Sequence, residues 1–386
     1  MEQTLTKQPP SLVRRFFRIF LPVLVVYLIL LFGQQAGFEP GRIIREMLAD
    51  PAIILQQIVV GLSNAAIITI IALGYTMVYG IVENINFAHA SVFMHGTFIA
   101  LLTMSILTNA STKAPLWVAL VAFIPAMIYC ALLNGVIERF AYRSLRKSPK
   151  IVGMIAGMGM DYILVNIGLK IGDFGILPNA FPNVPALNFL NILGNQSASP
   201  KSFPAVQEFF TGPGIPVNLL EIVDAHARLR ITPADILVIV TAIILVTALN
   251  WFVRNTRPGK AMRATAQNPA AAAMMGINTD QIINLTYMIG GALAGAAAVM
   301  FGVYNGTTSP QIGATTGLNS FTAAVLGGVG NIQGAALGAV FIGLLSALSD
   351  QFVSSRWTNA WVFLTLVLVM IFKPTGILGS EGGEKA

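Results

Sequence analysis

The feature that most constrains this chain is a series of apolar runs, each about as long as a bilayer is thick. A helix needs roughly 20 apolar residues to cross about 30 Å of hydrocarbon. Such runs lie near Ile19–Gly33, Gln56–Gly80, Ala88–Leu107, Leu116–Ile137, Ile151–Ile171, Pro233–Val253, Ile283–Tyr304 and Trp361–Phe372. The Gly-rich stretch Leu318–Leu348 adds either one long segment or two short ones. Lipid offers no partner to a free backbone N–H or C=O, which forces such segments into helices unless they close a barrel. The runs are continuously apolar and rich in Ala, Leu and Met, without the alternation of a membrane barrel. The expected fold is an all-α polytopic transmembrane bundle of about 8–10 spans, with a broken or re-entrant Gly-rich segment.

Composition agrees. Of 386 residues, 55% are hydrophobic and 10% charged, against about 25% charged in a globular domain. Mean hydropathy is +0.74. These values exclude a disordered chain, a nucleic-acid-binding domain and an ordinary cytosolic enzyme. The single cysteine, Cys130, excludes an intramolecular disulfide and any cysteine-cluster metal site. The first run is either a retained anchor or a cleaved signal; its basic approach suits both, and no clean small-x-small cleavage site follows.

Basic residues set the orientation. Residues 1–18, the loop 138–150 and the loop 254–282 carry thirteen of the twenty-three Lys and Arg residues. Alternating the spans from a cytoplasmic N-terminus puts all three on the cytoplasmic side. The net charge of +7 therefore reflects topology and requires no nucleic acid. The segment 172–232, with seven prolines and nearly balanced charge, falls outside. It reads as an irregular external loop with a short helix at Leu219–Ala227, either a cover over the bundle or a contact for an external partner.

The cytoplasmic loop 254–282 is informative in detail. Arg257-Pro258-Gly259 marks a turn, and Lys260 and Arg263 share one face of a helix-prone stretch. Asn268-Pro269 is an N-cap followed by proline at the first helical position. Ala270–Met275 favours helix, and Gly276 can end it in a left-handed conformation. Two short helices thus face the cytoplasm. They either pack on their own membrane domain or headgroups, or form a rigid lever for a cytoplasmic motor subunit.

Two stretches echo each other at an offset of 247 residues. Gly80 meets Gly327, Val82 meets Val329, Asn84 meets Asn331, Ile85 meets Ile332, Ala88 meets Ala335 and Gly96 meets Gly343. Repeated glycine-interrupted segments point to a transport passage; a biased composition produces some of these matches by chance. The Gly290–Ala296 run reads as close helix packing through small residues. His89 and His95, six apart, are poor co-ligands and read as helix contacts. Asp161 is the one carboxylate well inside an apolar run; it either lines a passage, pairs with a buried donor or is protonated. There is no Walker loop, so the chain does not hydrolyse ATP in the P-loop manner.

Five blocks carry a family resemblance: ALGYTMVYGIVENINFAHASVFM (72–94), VIERFAYRSLR (136–146), GKAMRATAQNPAAAAMMGIN (259–278), FTAAVLGGVGNIQGAALGA (321–339) and PTGILG (374–379). In that order they resemble the permeases of branched-chain amino acid ABC importers, and most closely the first of the two permease types. The resemblance implies a permease domain over 55–380, preceded by an extension with one extra anchor (1–54) and followed by a tail (381–386). It implies a bacterial inner-membrane location and three kinds of partner: a second related permease, two cytoplasmic ABC ATPases and an external substrate-binding protein. No cofactor is expected on this chain; ATP-Mg belongs to the ATPases. The coupling helix would lie at Pro258–Gly276, with Arg257, Lys260, Arg263, Asn268, Pro269 and Gly276 at the ATPase contact. Asn84, Asn86, His89, Asp161, Gly327, Gly328, Gly330 and Asn331 are the expected passage residues.

Three departures from the family pattern stand out: the N-terminal extension, the long external loop, and Gln267-Asn268 where relatives often carry an acidic residue. Cargo is less constrained than family. Branched-chain or other neutral amino acids come first, and urea or short amides second. A proton-coupled secondary transporter using Asp161 or His89 is the rival of a different class.

Overall fold

The computed structural model describes residues 51–108, 113–146, 148–170, 200–206, 215–217 and 229–379. The expected first span Ile19–Gly33, the helix at Leu219–Ala227, most of the external loop and the tail 381–386 lie outside the described residues.

The long helices are α1 (Pro51–Val82), α2 (His89–Leu107), α3 (Leu116–Ile137), α4 (Lys150–Lys170) and α5 (Pro233–Asn255). Two short ones follow, α6 (Arg257–Gln267) and α7 (Pro269–Met274), and then α8 (Thr279–Asn305), α9 (Ile312–Gly327), α10 (Ile332–Ser349) and α11 (Ser355–Phe372). The all-α polytopic bundle expected from the apolar runs is what the chain forms. Among the described residues, seven helical stretches meet the length and hydropathy of a membrane span. The last of them, Ile332–Phe372, is two helices: a π turn over Asp350–Ser354 and extended backbone at Ser354 (φ 178°, ψ 139°) separate α10 from α11. The segment beyond α11 returns to the end where α10 began, since Ile377 N–H donates to the Leu326 carbonyl at 2.8 Å. So α11 runs antiparallel to α10.

The Gly-rich stretch likewise resolves into two helices, α9 and α10, reversed over Gly328–Asn331. The turn requires glycine at Gly328 (φ 106°) and Gly330 (φ 94°), because a Cβ there is strained. At 1.5 Å per residue α9 is only about 24 Å long. Its last carbonyls are completed from elsewhere: Ile377 N–H donates to the Leu326 carbonyl at 2.8 Å and Leu378 N–H to the Gly327 carbonyl at 3.0 Å, while Asn331 Nδ2 holds the Leu378 carbonyl at 3.0 Å. Chain direction puts this C-terminal segment at the end bearing the basic loops, the cytoplasmic end.

Burial separates centre from rim. Of the most apolar window of α1, 78% is buried; for α4 and α5 the shares are 22% and 17%. The outward faces of α3, α4 and α5 carry Ile124, Ile128, Ile155, Ile163, Ile243 and Ile244, all well exposed, as surfaces turned to lipid or another membrane protein are. At the centre, α1 packs on α10 and α8 packs on α3, and α1 and α8 also touch. Small residues allow these approaches. Gly61 lies on Gly343 and Leu344, and Gly291 and Gly295 lie on the backbone at Cys130 and Ala126. The Gly290–Ala296 run is therefore a packing stripe, as its composition suggests.

These partnerships define two inverted halves. The units α1–α4 and α8–α11 have matching contacts (α1 on α10 against α8 on α3, and α2 on α3 against α9 on α10), and they cross the membrane in opposite senses. Each third helix ends in a π turn, Glu138–Tyr142 after α3 and Asp350–Ser354 after α10. The 247-residue echo aligns something else. It superposes two cytoplasmic turns of the same sense, which touch each other where Gly80 approaches the Gly330 backbone.

At the external end, short pairings tie the loops down. Lys113 pairs with Ala205 and Lys201 with Thr308. Phe203 is buried against Gly302.

Candidate functional site

The cytoplasmic end holds three linked structures. The first is the α6–α7 pair. Thr256 Oγ1 accepts from Gly259 N–H at 3.1 Å, Asn268 Oδ1 from Ala271 N–H at 3.0 Å, and Asn278 Oδ1 from Gln281 N–H at 3.1 Å. Each helix start in this loop thus has the cap that its residue type predicts. Pro258 and Pro269 sit in the first turns. Gly276 closes α7 with φ 83°, and Ile277 N–H donates back to the Ala272 carbonyl at 3.1 Å.

The pair has two faces. Met262, Thr265 and Ala272 are buried against the membrane domain. Arg257, Lys260, Arg263, Asn268, Pro269 and Gly276 are exposed, and Met274 and Met275 are each 83% exposed. α6 packs on its own domain, while the outer face of α7 is an apolar knob without a partner among the described residues. Arg263 also has a local task that the sequence did not show. Its Nη2 donates to the Arg254 carbonyl at 3.1 Å, placing a cation at the C-terminal end of α5, where the helix dipole favours it.

The second structure is an ion-pair network linking α3 to α8. Glu138 is fully buried. It accepts from Arg146 Nη2 and from Asn284 Nδ2 at 2.6 Å. Asp280 accepts from Arg146 Nη1 at 2.5 Å and from Arg143 Nη2. Asp280 lies two residues beyond the Asn278 cap, so the α6–α7 knob, the start of α8 and the end of α3 are joined by charge-assisted bonds. None of Glu138, Arg143, Arg146, Asp280 and Asn284 was expected at a site. Their one sequence signal is a carboxylate closing an apolar run ahead of a basic cluster.

The third is a buried polar chain. Tyr142 OH donates to Asn86 Oδ1 at 3.0 Å, Asn86 Nδ2 to Asn134 Oδ1 at 3.0 Å, and Asn134 Nδ2 to the Tyr287 carbonyl at 2.6 Å. It spans the turn before α2, helix α3 and helix α8 in one set of bonds.

The expected passage residues separate by position. Asn84 lines a cytoplasmic cavity of 400 Å³ with Arg146, Lys150, Pro269 and Asp280. Gly330 and Asn331 line a second, of 790 Å³, with Glu83, Arg254 and Arg263. Asn86 is held in the polar chain. His89 is fully buried, its ring over Gly74 and edge-on to Tyr75 with centroids 4.8 Å apart. Gly327 and Gly328 are packed against Gly334 and Gly379. Asp161 is half-buried on α4 and accepts from Ser91 Oγ at 2.5 Å, so a buried donor does face it. Its neighbour in the bundle, His95, bonds the Leu164 carbonyl at 3.0 Å. No bond joins Asp161 to His89 or His95 as a relay.

A further cavity, of 300 Å³, opens at the external end. It is lined by α1, α8, α9, α10 and α11, with Asn64, Asn319, Asp350 and Thr358 among its polar groups.

The family model for the permease component of branched-chain amino acid transport systems matches residues 57–372. The high-affinity branched-chain amino acid transport system permease LivH of Salmonella typhimurium is 34% identical over 333 residues, 86% of this chain and 97% of that protein. The high-affinity branched-chain amino acid permease BraD of Pseudomonas aeruginosa is 34% identical over 331 residues, again 86% and 97%. A more distant relative over part of the chain is the autoinducer 2 import permease LsrC of Photorhabdus laumondii, 28% identical over 166 residues, 41% of this chain and 48% of that protein. No solved structure matches.

Proposed function

We propose a function from one premise: the chain belongs to the permease family of branched-chain amino acid transport systems. It is the membrane-spanning permease subunit of an ATP-driven importer in the bacterial inner membrane, and it translocates branched-chain or other neutral amino acids. An external binding protein delivers the solute. A second related permease completes the membrane unit, and two cytoplasmic ABC ATPases hold ATP-Mg and supply the energy.

The observation that carries this reading is the capped α6–α7 pair with its outward Met274–Met275 knob. A helix this small gains nothing by exposing two methionines unless a partner covers them. The knob offers the apolar anchor, and Arg257, Lys260 and Arg263 offer a basic rim for an ATPase groove. Closure of the ATPases around nucleotide pushes the knob. The Arg146–Asp280 and Glu138–Asn284 bonds carry that push into α3 and α8 together. A ligand shifts such an equilibrium only through its different affinity for the two states; nucleotide supplies the difference through the ATPases. On this reading Asn84, Gly330 and Asn331 bound the cytoplasmic exit, while Asn86, His89, Gly327 and Gly328 hold the walls that must move. Asp161, on the thinly covered α4, is turned inward to Ser91 and stands beside the passage.

Reconstitution of the four-subunit membrane complex with its binding protein tests the reading. ATP-dependent uptake of leucine, isoleucine or valine is expected. Uptake of urea alone would reassign the cargo, and uptake by this chain alone on a proton gradient would overturn the reading.

A further inference from the structure

The external cavity of 300 Å³ is chemically asymmetric. Asp350 is its one ionisable group among the described residues, exposed at the end of α10 and bonded by Thr358 Oγ1. Asn64 and Asn319 supply neutral amides, and Ile67, Ile68 and Phe301 supply an apolar wall. Asn319 Oδ1 is shielded from solvent and has no hydrogen-bond partner among the described residues. A buried acceptor left unmade is costly, so a donor is expected to reach it when the cavity is filled. The volume lies at the small end of ligand pockets.

We propose that this cavity is a low-affinity receiving site for a zwitterionic α-amino acid with an aliphatic side chain, within a single protomer and on its external half. The inference rests on the amino-acid reading above. Asp350 and Asn319 Oδ1 take the α-ammonium, the amide N–H of Asn64 takes the α-carboxylate, and the side chain lies on Ile67, Ile68 and Phe301. Among the described residues no lysine or arginine lines the cavity, so the carboxylate meets a neutral donor, and the site can release its occupant as a conduit must. The inverted counterpart makes the contrast. At the first π turn Glu138 is saturated by Arg146 and Asn284, while at the second Asp350 opens on a cavity.

The test uses the assembled membrane complex in lipid nanodiscs without the binding protein, with tritiated L-leucine as probe. Saturable binding is expected, displaced by valine but not by isovalerate, which lacks the ammonium, or by urea. Asp350→Asn should weaken it about tenfold, the scale of a lost hydrogen-bonded charge, with Asn319→Ala weakening it less. Where Asp350→Asn does not assemble, Asn64→Ala and Asn319→Ala carry the same comparison. If the complex imports leucine but shows no saturable binding, or binds it equally in all three variants, the receiving site is wrong and the importer reading stands. If the wild-type complex imports no amino acid, the importer reading itself has failed.

Discussion

Glu138 and Asp350 occupy equivalent places in two inverted halves: each begins a π turn at the end of a helix that packs on the central α1–α8 pair. π turns often mark functional positions in helices. Here one carboxylate is locked into a cytoplasmic network and the other faces an external cavity. The same fold element is thus closed into a hydrogen-bonded ion-pair network at one end and open to a cavity at the other.

The joint should behave as a buried ion pair does. Removing Arg146 by Arg146→Ala leaves Glu138 buried without its cation, and a loss of roughly 3–5 kcal/mol in stability is expected. The double variant Glu138→Gln/Arg146→Met should recover a large part of that loss. Thermal unfolding of the purified complex measures both, and equal melting temperatures for wild type and Arg146→Ala would contradict the network.

The Met274–Met275 knob is expected to be an assembly surface. Met274→Asp/Met275→Asp should leave the permease folded, because both side chains are outside the core, yet reduce ATPase co-purification by at least about tenfold, as the loss of a few desolvated apolar anchors does. Undiminished co-purification would place the ATPase elsewhere.

Asn268→Ala tests the rigidity of the lever and not its surface. Loss of an N-cap costs about 1 kcal/mol, local to α7. The expected result is an assembled complex with fewer solutes imported per ATP hydrolysed, with Asn268→Asp close to wild type. An unchanged ratio in Asn268→Ala would mean that α7 need not be stiff.

Arg263→Glu should uncouple ATP hydrolysis from uptake, and the structure adds a second reason. It replaces a cation bonded to the last turn of α5 by an anion, an unfavourable exchange of about 1 kcal/mol at a helix C-terminus. Arg263→Lys keeps the charge and should restore most of the uptake. Equal uptake in wild type and Arg263→Glu would remove Arg263 from the coupling surface.

Asp161→Asn separates the importer from a proton-driven carrier. The Ser91 bond survives the change, since an amide oxygen accepts as a carboxylate does. ATP-driven uptake should persist at a comparable rate across pH 6–8. Abolition of uptake with ATPase activity intact would give Asp161 a direct part in transport.

What the sequence makes legible is what is local. Asn268, Pro269 and Gly276 announce α7 because a cap, a first-turn proline and a left-handed stop act within a few residues. Gly328 and Gly330 announce a break in an apolar run for the same reason. The 247-residue echo between Asn84 and Asn331 is visible because both close similar turns, but the inversion relating α1–α4 to α8–α11 leaves no such trace: helices packed backbone to backbone need small residues and little else. The bonds of Glu138 to Arg146 and Asn284, and the exposure of Asp350 to a cavity, depend on which helices become neighbours. That is decided by the whole bundle. The anchor expected at Ile19–Gly33 and the helix at Leu219–Ala227 fall outside the described residues.

The strap from Gly376 to Gly379 has a consequence for how the molecule is made. Its Leu378 carbonyl holds Asn331, 47 residues earlier in the chain, so the tip between α9 and α10 is synthesised before its fastener. Until then the last carbonyls of α9 lack the donors that Ile377 and Leu378 supply, and a chain ended ahead of Gly376 would never gain them.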